Sequence, residues 1–334
     1  MHKQLLALIV LTGLILTVAS TANAQAVGSS RGLATSGGQN MIQGRVYFPS
    51  GQSVSGKQVK VSLESVSAFG NMQTVADQDG VFRFTSLTAG SYTVVVDAGP
   101  EYEKAREPVN IDREASPGGR SIQVAIQLHP KVDAKNPVFA NVPDTALKFY
   151  QKGSEAARKG DAKAAVESLS AAVKAYPNFT IALNELGTQY MILKQMDKAG
   201  ETFEALLKIK PEDMTGHLNL GIVAFNQKKF EVAEQHLRKA VELKSQGPTV
   251  HYYLGLTLIS LKRYSDAVTE LETTVNNGGE NLALAHKYLG GLYMTNPDKK
   301  QDAANELEKY LTLDPKAADA EKIKGTIKEL RKQP

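Results

Sequence analysis

Residues 180–211 read TIALNELGTQYMILKQMDKAGETFEALLKIKP, and the pattern of this stretch recurs along the second half of the chain. Its glycine belongs to a series with successive spacings of 34, 34, 34 and 35 residues, formed by Gly153, Gly187, Gly221, Gly255 and Gly290. A fixed period of this length is the signature of a solenoid built from one supersecondary unit per repeat. The sequence therefore predicts an array of helix pairs.

Two further columns repeat with the glycines. One is an alanine column, twelve residues after each glycine or thirteen in the last repeat, at Ala165, Ala199, Ala233, Ala267 and Ala303. The other is a column of large apolar residues at Leu169, Phe203, Leu237, Leu271 and Leu307. Small residues allow two antiparallel helices to cross closely, and large ones fill the layer between them. Prolines that cannot continue a helix follow three of the repeats, at Pro177, Pro211 and Pro315.

These columns closely resemble the tetratricopeptide repeat. The resemblance implies five helical hairpins over residues 144–316, which form an all-α superhelix with the first helix of each repeat lining a concave groove. Residues 317–334 follow as one more helix, with Ile323, Ile327 and Leu330 along one stripe and charged residues opposite. One apolar and one polar face are typical of a helix that caps a solenoid.

The glycine register also assigns the inner face of the first helices. The candidate binding residues on this face are Tyr150, Asn184, Thr188, Met191, Leu218, Ile222, Phe225, Tyr252, Leu256, Ile259, Lys287 and Met294. The face is mostly apolar, which favours a peptide or helix with hydrophobic anchors as the partner. The alternative for each residue is packing against the neighbouring repeat. Some proteins of this family clamp a terminal carboxylate with a Lys and an Asn. Tyr150 and Ser154 stand at the corresponding positions here, so binding of a terminal carboxylate is not expected. Glu270 is expected on the convex side.

The region 41–129 has a different texture, with short alternating runs between turn signals. About seven strands are expected, among them 42–48, 59–63, 81–84, 92–96, 106–111 and 121–128, in an antiparallel all-β sandwich. The strings IQGRV at 42–46, VKVSL at 59–63, DGVFRF at 79–84 and GSY at 90–92 resemble the carboxypeptidase regulatory-like domain, a transthyretin-like and Ig-like fold. The resemblance implies an accessory module, sometimes one that contacts glycans.

The N-terminal residues have the pattern of a signal peptide. Lys3 precedes an apolar run from Leu5 to Val18, and Ala22 and Ala24 form a small-x-small cleavage site. Residues 1–24 are therefore predicted to be removed after Ala24, which implies a periplasmic or secreted protein. The rival interpretation, an uncleaved anchor, is less favoured because the run is shorter than the ~20 residues of a spanning helix. Residues 25–40 are rich in Gly and Ser and predict a flexible tether, and residues 130–143, with three prolines, predict a linker.

The composition narrows the function further. The 334 residues include no cysteine, so there is no disulfide framework and no thiol nucleophile. The 39 basic and 35 acidic residues are scattered in sign, which argues against nucleic acid as a partner. No nucleophile elbow, zinc motif or phosphate loop occurs, so we expect no enzymatic activity, no cofactor and no metal. His217, His251 and His286 fall in one repeat column, where an aromatic-sized filler is a better interpretation than convergent metal ligands.

The leading hypothesis from the sequence is an exported protein-interaction scaffold whose groove binds another protein or a peptide, with the sandwich as an accessory module. No membrane span is expected once the signal peptide is cleaved. The alternative is a cell-surface or carbohydrate-binding protein that acts through the sandwich on a glycan, with the repeats as a spacer.

Overall fold

The computed structural model describes residues 40–48, 58–65, 72–111, 121–132, 136–243, 247–276 and 282–332. A β-rich region of strands between residues 40 and 127 precedes a helical array. Residues 1–39, which carry the predicted signal peptide and almost all of the predicted tether, lie outside the described residues. None of the helices in the described ranges combines the length and the apolar character needed to cross a bilayer.

The β-rich region is a sandwich of two sheets. Its strands are β1 Asn40–Tyr47, β2 Lys60–Ser65, β3 Met72–Val75, β4 Val81–Leu87, β5 Gly90–Asp97, β6 Ala105–Ile111 and β7 Ser121–Gln127. One sheet has the order β4-β1-β7 and the other β3-β2-β5-β6. Alternate residues of both sheets point into one shared core, which includes Ile42, Val61, Phe84 and Val94. The predicted all-β sandwich is confirmed.

Two details of the sandwich differ from the sequence prediction. The sheets are not antiparallel throughout, because β1 and β7 pair in parallel with Met41 opposite Ser121. Strand β3, Met72–Val75, is not among the strands located from the sequence. It is an edge strand with three of its four side chains exposed, so its burial does not alternate. An edge strand that buries little leaves no period-two signal in the sequence.

The second region consists of five helix pairs and a final helix. The described helices are α1 Asp144–Arg158, α2 Ala162–Ala175, α3 Thr180–Ile192, α4 Met196–Ile209, α5 Met214–Asn226, α6 Phe230–Glu242, α7 Pro248–Ser260, α8 Tyr264–Thr274, α9 Ala283–Tyr293, α10 Lys300–Leu313 and α11 Ala320–Lys332. Side chains in the turns fix several helix starts: Asp161 and Asp213 accept hydrogen bonds from the first turns of α2 and α5, and Pro248 takes the first position of α7. This array confirms the predicted all-α superhelix.

The close helix crossing explains the repeating columns. A β-carbon added at Gly187 would lie 2.6 Å from the ring of Phe203, and one added at Gly221 would lie 2.7 Å from Leu237. Gly153, Gly255 and Gly290 meet the corresponding leucines in the same way. The alanine column is fully buried in all five repeats. The glycine, the alanine and the large residue are therefore one packing unit, repeated five times.

Residues 136–139, in the segment between the two regions, are packed rather than extended. Asn136 donates hydrogen bonds to the carbonyl oxygens of Glu101 and Lys131, at 2.8 Å each, and caps a 3₁₀ turn at Pro137–Phe139. The ring of Phe139 is 1% exposed and lies 5.6 Å from the ring of Tyr150. Part of the predicted linker 130–143 thus belongs to the core of the first repeat.

Candidate functional site

The first helices of successive repeats stack side by side and form the candidate inner face. Contacts join α1 to α3, α3 to α5 and α5 to α7. Direct bonds span these neighbours, because Tyr150 of α1 donates to Glu185 of α3 and Asn219 of α5 donates to Asn184 of α3. The first helices of repeats one to four therefore form one continuous row.

Exposure divides the twelve predicted residues into three groups. Those buried between neighbouring helices are Tyr150, Ile222, Tyr252, Leu256 and Ile259. Those half-buried on the face are Asn184, Thr188, Met191, Leu218, Phe225 and Lys287. Met294, in the turn after α9, is exposed. For the buried group, packing against the neighbouring repeat is the dominant role.

An aromatic cluster lies at the middle of the face. The ring of Phe225 is 5.7 Å from that of Tyr253 and 5.9 Å from that of Phe230, and Tyr253 lies 5.4 Å from Tyr252. Phe225 and Tyr253 are half-buried, whereas Tyr252 is almost fully buried. Rings that are held rigid and remain partly open can bury more area against a partner at little entropic cost.

Four residues of the face that were not predicted each follow a predicted residue directly in the sequence. Glu185, Asn219, Tyr253 and Tyr288 fill this neighbouring column, and all are half-buried on the same face. Asn219 and Asn184 share a hydrogen bond of 3.1 Å, so the polar groups of the two repeats are coupled. The signal was available, because this column has the same 34-residue spacing as the glycines.

Lys287, the single lysine predicted on the inner face, is engaged within the chain. Its Nζ lies 2.7 Å from Asp319 Oδ2, and it also lies over the ring of Tyr310 at 5.3 Å. Asp319 precedes α11, so this ion pair fastens the final helix to the fifth repeat. Lys287 therefore stabilises the position of the final helix, and its charge is already paired within the chain.

A buried carboxyl lies at the first-repeat end of the face. Glu185 Oε1 accepts hydrogen bonds from the hydroxyls of Tyr150 and Ser154, at 3.1 and 3.4 Å. Its Oε2 is buried and has no hydrogen-bond partner among the described residues. Burial raises the pKa of Glu185 to about 7, and the two hydrogen bonds offset only part of that effect. Nδ1 of His129 lies 3.9 Å from Oε1 of Glu185, and burial lowers the pKa of His129.

The histidine column faces away from the groove. His217 contacts His236 at 2.9 Å, His251 contacts Glu270 at 2.6 Å, and the nearly fully buried His286 is hydrogen-bonded to Glu306. Each partner lies on the second helix of the same repeat, so the three imidazoles do not converge. Glu270 is consequently not a passive surface residue, and its removal would leave His251 without its partner.

Family models match both regions of the chain. A carboxypeptidase regulatory-like domain matches residues 41–125, and a tetratricopeptide repeat model matches residues 150–214 and 218–279. Both resemblances seen in the sequence are thereby confirmed. A comparison with curated proteins finds no match.

Several solved structures are similar to part of the chain. The chain is similar to MamA from Desulfovibrio magneticus RS-1, with 20% identity over 53% of this chain and 99% of that one, at a TM-score of 0.48. It is similar to YrrB, described as a TPR protein with an unusual peptide-binding site, with 18% identity over 58% of this chain and 99% of that one, at a TM-score of 0.47. A thermophilic TPR protein from Thermus thermophilus matches at 18% identity over 56% of this chain and 98% of that one, with a TM-score of 0.41.

Proposed function

We propose that this chain, with its tetratricopeptide repeats and its carboxypeptidase regulatory-like domain, is a protein-interaction scaffold that binds a peptide or helix of another protein on the inner face. The observation that supports this most is the partly open aromatic cluster of Phe225 and Tyr253 at the centre of the array. Interfaces derive most of their affinity from a few such central rings. The function is binding rather than catalysis.

The polar groups beside the cluster suit a peptide backbone. Asn219 donates to Asn184 across α5 and α3, and Asn226, at the end of α5, donates to the carbonyl oxygen of Ile222. These bonds use only part of the hydrogen-bonding capacity of each amide. Amides can donate to and accept from peptide groups. The preferred ligand is therefore a segment with apolar anchors and an available backbone or polar flank.

Truncation of Phe225 tests this function. The chain is used as bait in an exported-protein extract, the captured protein is identified, and its affinity is measured by titration. We expect Phe225→Ala to weaken binding about thirty-fold, which corresponds to ~2 kcal/mol for a central aromatic anchor. Circular dichroism verifies that the variant remains folded.

Phe149→Ala is the matched control, because Phe149 is 39% exposed and lies in the histidine column that faces away from the groove. Equal affinities of the two variants for the captured protein would contradict a binding groove at Phe225. Tyr252 is unsuitable for this test, since it is nearly fully buried and its loss would disturb packing.

Export is the second part of the proposal, and the residues that support it are the apolar run and the Ala22-Asn23-Ala24 site. When the full-length gene is expressed in a bacterium, we expect the mature protein in the periplasm or medium to begin at Gln25. Mass spectrometry of the intact protein measures this. Recovery of chains that retain Met1 in the membrane fraction would show that the segment is an anchor.

A further inference from the structure

The outer face of the β4-β1-β7 sheet is buried at one corner. Ile42, Gly44 and Val46 of β1 point into the sandwich core, so Gln43 and Arg45 point outward. Both are nevertheless buried, at 0% and 7% exposure. An outward-facing surface that is not exposed must be covered by another part of the molecule.

Strand β4, next to β1, also has a buried residue on its outer face. Val81 lies opposite Arg45 in the β1–β4 pair, is 2% exposed, and is absent from the hydrophobic cluster of the sandwich. The solenoid comes close at this corner, because a β-carbon added at Gly247 would lie 3.2 Å from Nη1 of Arg45. Gly247 directly precedes α7, at the start of the fourth repeat.

A second set of contacts joins the same end of the sandwich to the first two repeats, since β1 and β7 run in parallel and His129 follows the end of β7. Arg158, at the end of α1, forms an ion pair with Glu103, whose backbone NH donates to the carbonyl oxygen of His129. His129 in turn lies beside Glu185 of α3. Glu103 and His129 therefore lie over the inner face of the first two repeats, where Tyr150 and Ser154 are 1% and 5% exposed.

We propose that the sandwich is docked in one fixed position on the solenoid, against repeats one, two and four, and that a partner binds this docked form. Inner-face side chains stay accessible in this docked form. Leu218, Phe225 and Tyr253 remain partly open, and a β-carbon added at Gly291 would meet nothing within 4 Å. The inference rests on the proposed groove function, but the docking itself can be tested without any partner.

Engineered cysteines test the docking, since the chain contains none of its own. In the full-length chain, Arg45→Cys is combined with Gly247→Cys and treated with a short bismaleimide. The control combines Arg45→Cys with Glu201→Cys, because Glu201 is exposed on the second helix of repeat two. We expect at least tenfold more intramolecular product for the first pair. Equal yields would overturn the docked arrangement.

A second pair of cysteines tests the docking in a chain that keeps Arg45. Glu103→Cys with Arg158→Cys replaces the ion pair at the other contact and should cross-link with similar efficiency. Failure of both pairs in chains that circular dichroism shows to be folded would also overturn the docking.

The cross-linked chain then tests whether the docked form binds. Its affinity for the captured partner should remain within about threefold of the untreated variant, because the rings of Phe225 and Tyr253 stay partly open. A loss of binding above tenfold would mean that the sandwich must undock before the partner binds, and this part of the proposal would be wrong. By contrast, an unchanged affinity of Phe225→Ala would refute the groove function while leaving the cross-linking result intact, so the two failures are distinguishable.

Discussion

Replacing Ala233 with glutamate should unfold much of the helical array. Ala233 is fully buried in α6, in the column where the paired helices cross most closely. A glutamate there either buries a charge without a partner or forces the helices apart, and such changes cost several kcal/mol. Because each repeat is stabilised mainly by its neighbours, the loss should spread beyond repeat three. Urea unfolding followed by far-ultraviolet circular dichroism measures the effect.

Val232→Glu is the matched control, since Val232 precedes Ala233 on the same helix and is 42% exposed. The same substitution at this exposed position should change the unfolding free energy by no more than about 0.5 kcal/mol. If the two variants unfolded at the same urea concentration, the assigned packing of α6 would be wrong.

Glu185 should make the folded protein less stable as the pH rises from about 4.5 to about 7. The unfolded chain loses the proton of a glutamate near pH 4.3, whereas burial holds that proton on Glu185 up to about pH 7. Between these values the unfolded state binds fewer protons than the folded state, so the unfolding free energy falls with rising pH. The shift corresponds to roughly 3 kcal/mol, fully lost above the pKa of the folded state.

Glu185→Gln removes this titration and preserves an acceptor for Tyr150 and Ser154. The variant should match the wild type near pH 4 and exceed it in stability at pH 8. The difference in unfolding free energy between the two proteins reports on Glu185 alone, because all other titrating groups are present in both. These include His129 and Arg158, which face the same carboxyl. Parallel stability curves from pH 4 to 8 would show that Glu185 is ionised throughout.

The helical half was predictable because its packing repeats. Gly221, Ala233 and Leu237 form one contact unit, and five copies in register reveal the helix pairs without any knowledge of the tertiary structure. The inner face was predicted from the same register. Its exposure did not, since the burial of Tyr150 depends on Phe139, a residue outside the repeat.

The contacts that periodicity cannot show were the ones missed. The outward side of β1 alternates like any strand, so nothing in the sequence indicates that Arg45 is covered. A contact between non-equivalent positions, such as that of Arg45 with Gly247, occurs once and leaves no pattern. The bond between His251 and Glu270 is different, because His217–His236 and His286–Glu306 are equivalent contacts in the neighbouring repeats.

The parallel pairing of β1 with β7 affects the order in which the protein can fold during synthesis. Tyr47 and Gln127 are hydrogen-bonded partners 80 residues apart, so the β4-β1-β7 sheet cannot close until nearly the whole sandwich has left the ribosome. The contacts within and between neighbouring helix pairs, in contrast, close over short stretches of chain, so the array can form repeat by repeat as it emerges. Although it is translated first, the sandwich is therefore expected to be the slower half to reach its native state. β1 can pair with β4 early, but its other edge stays unpaired until β7 arrives.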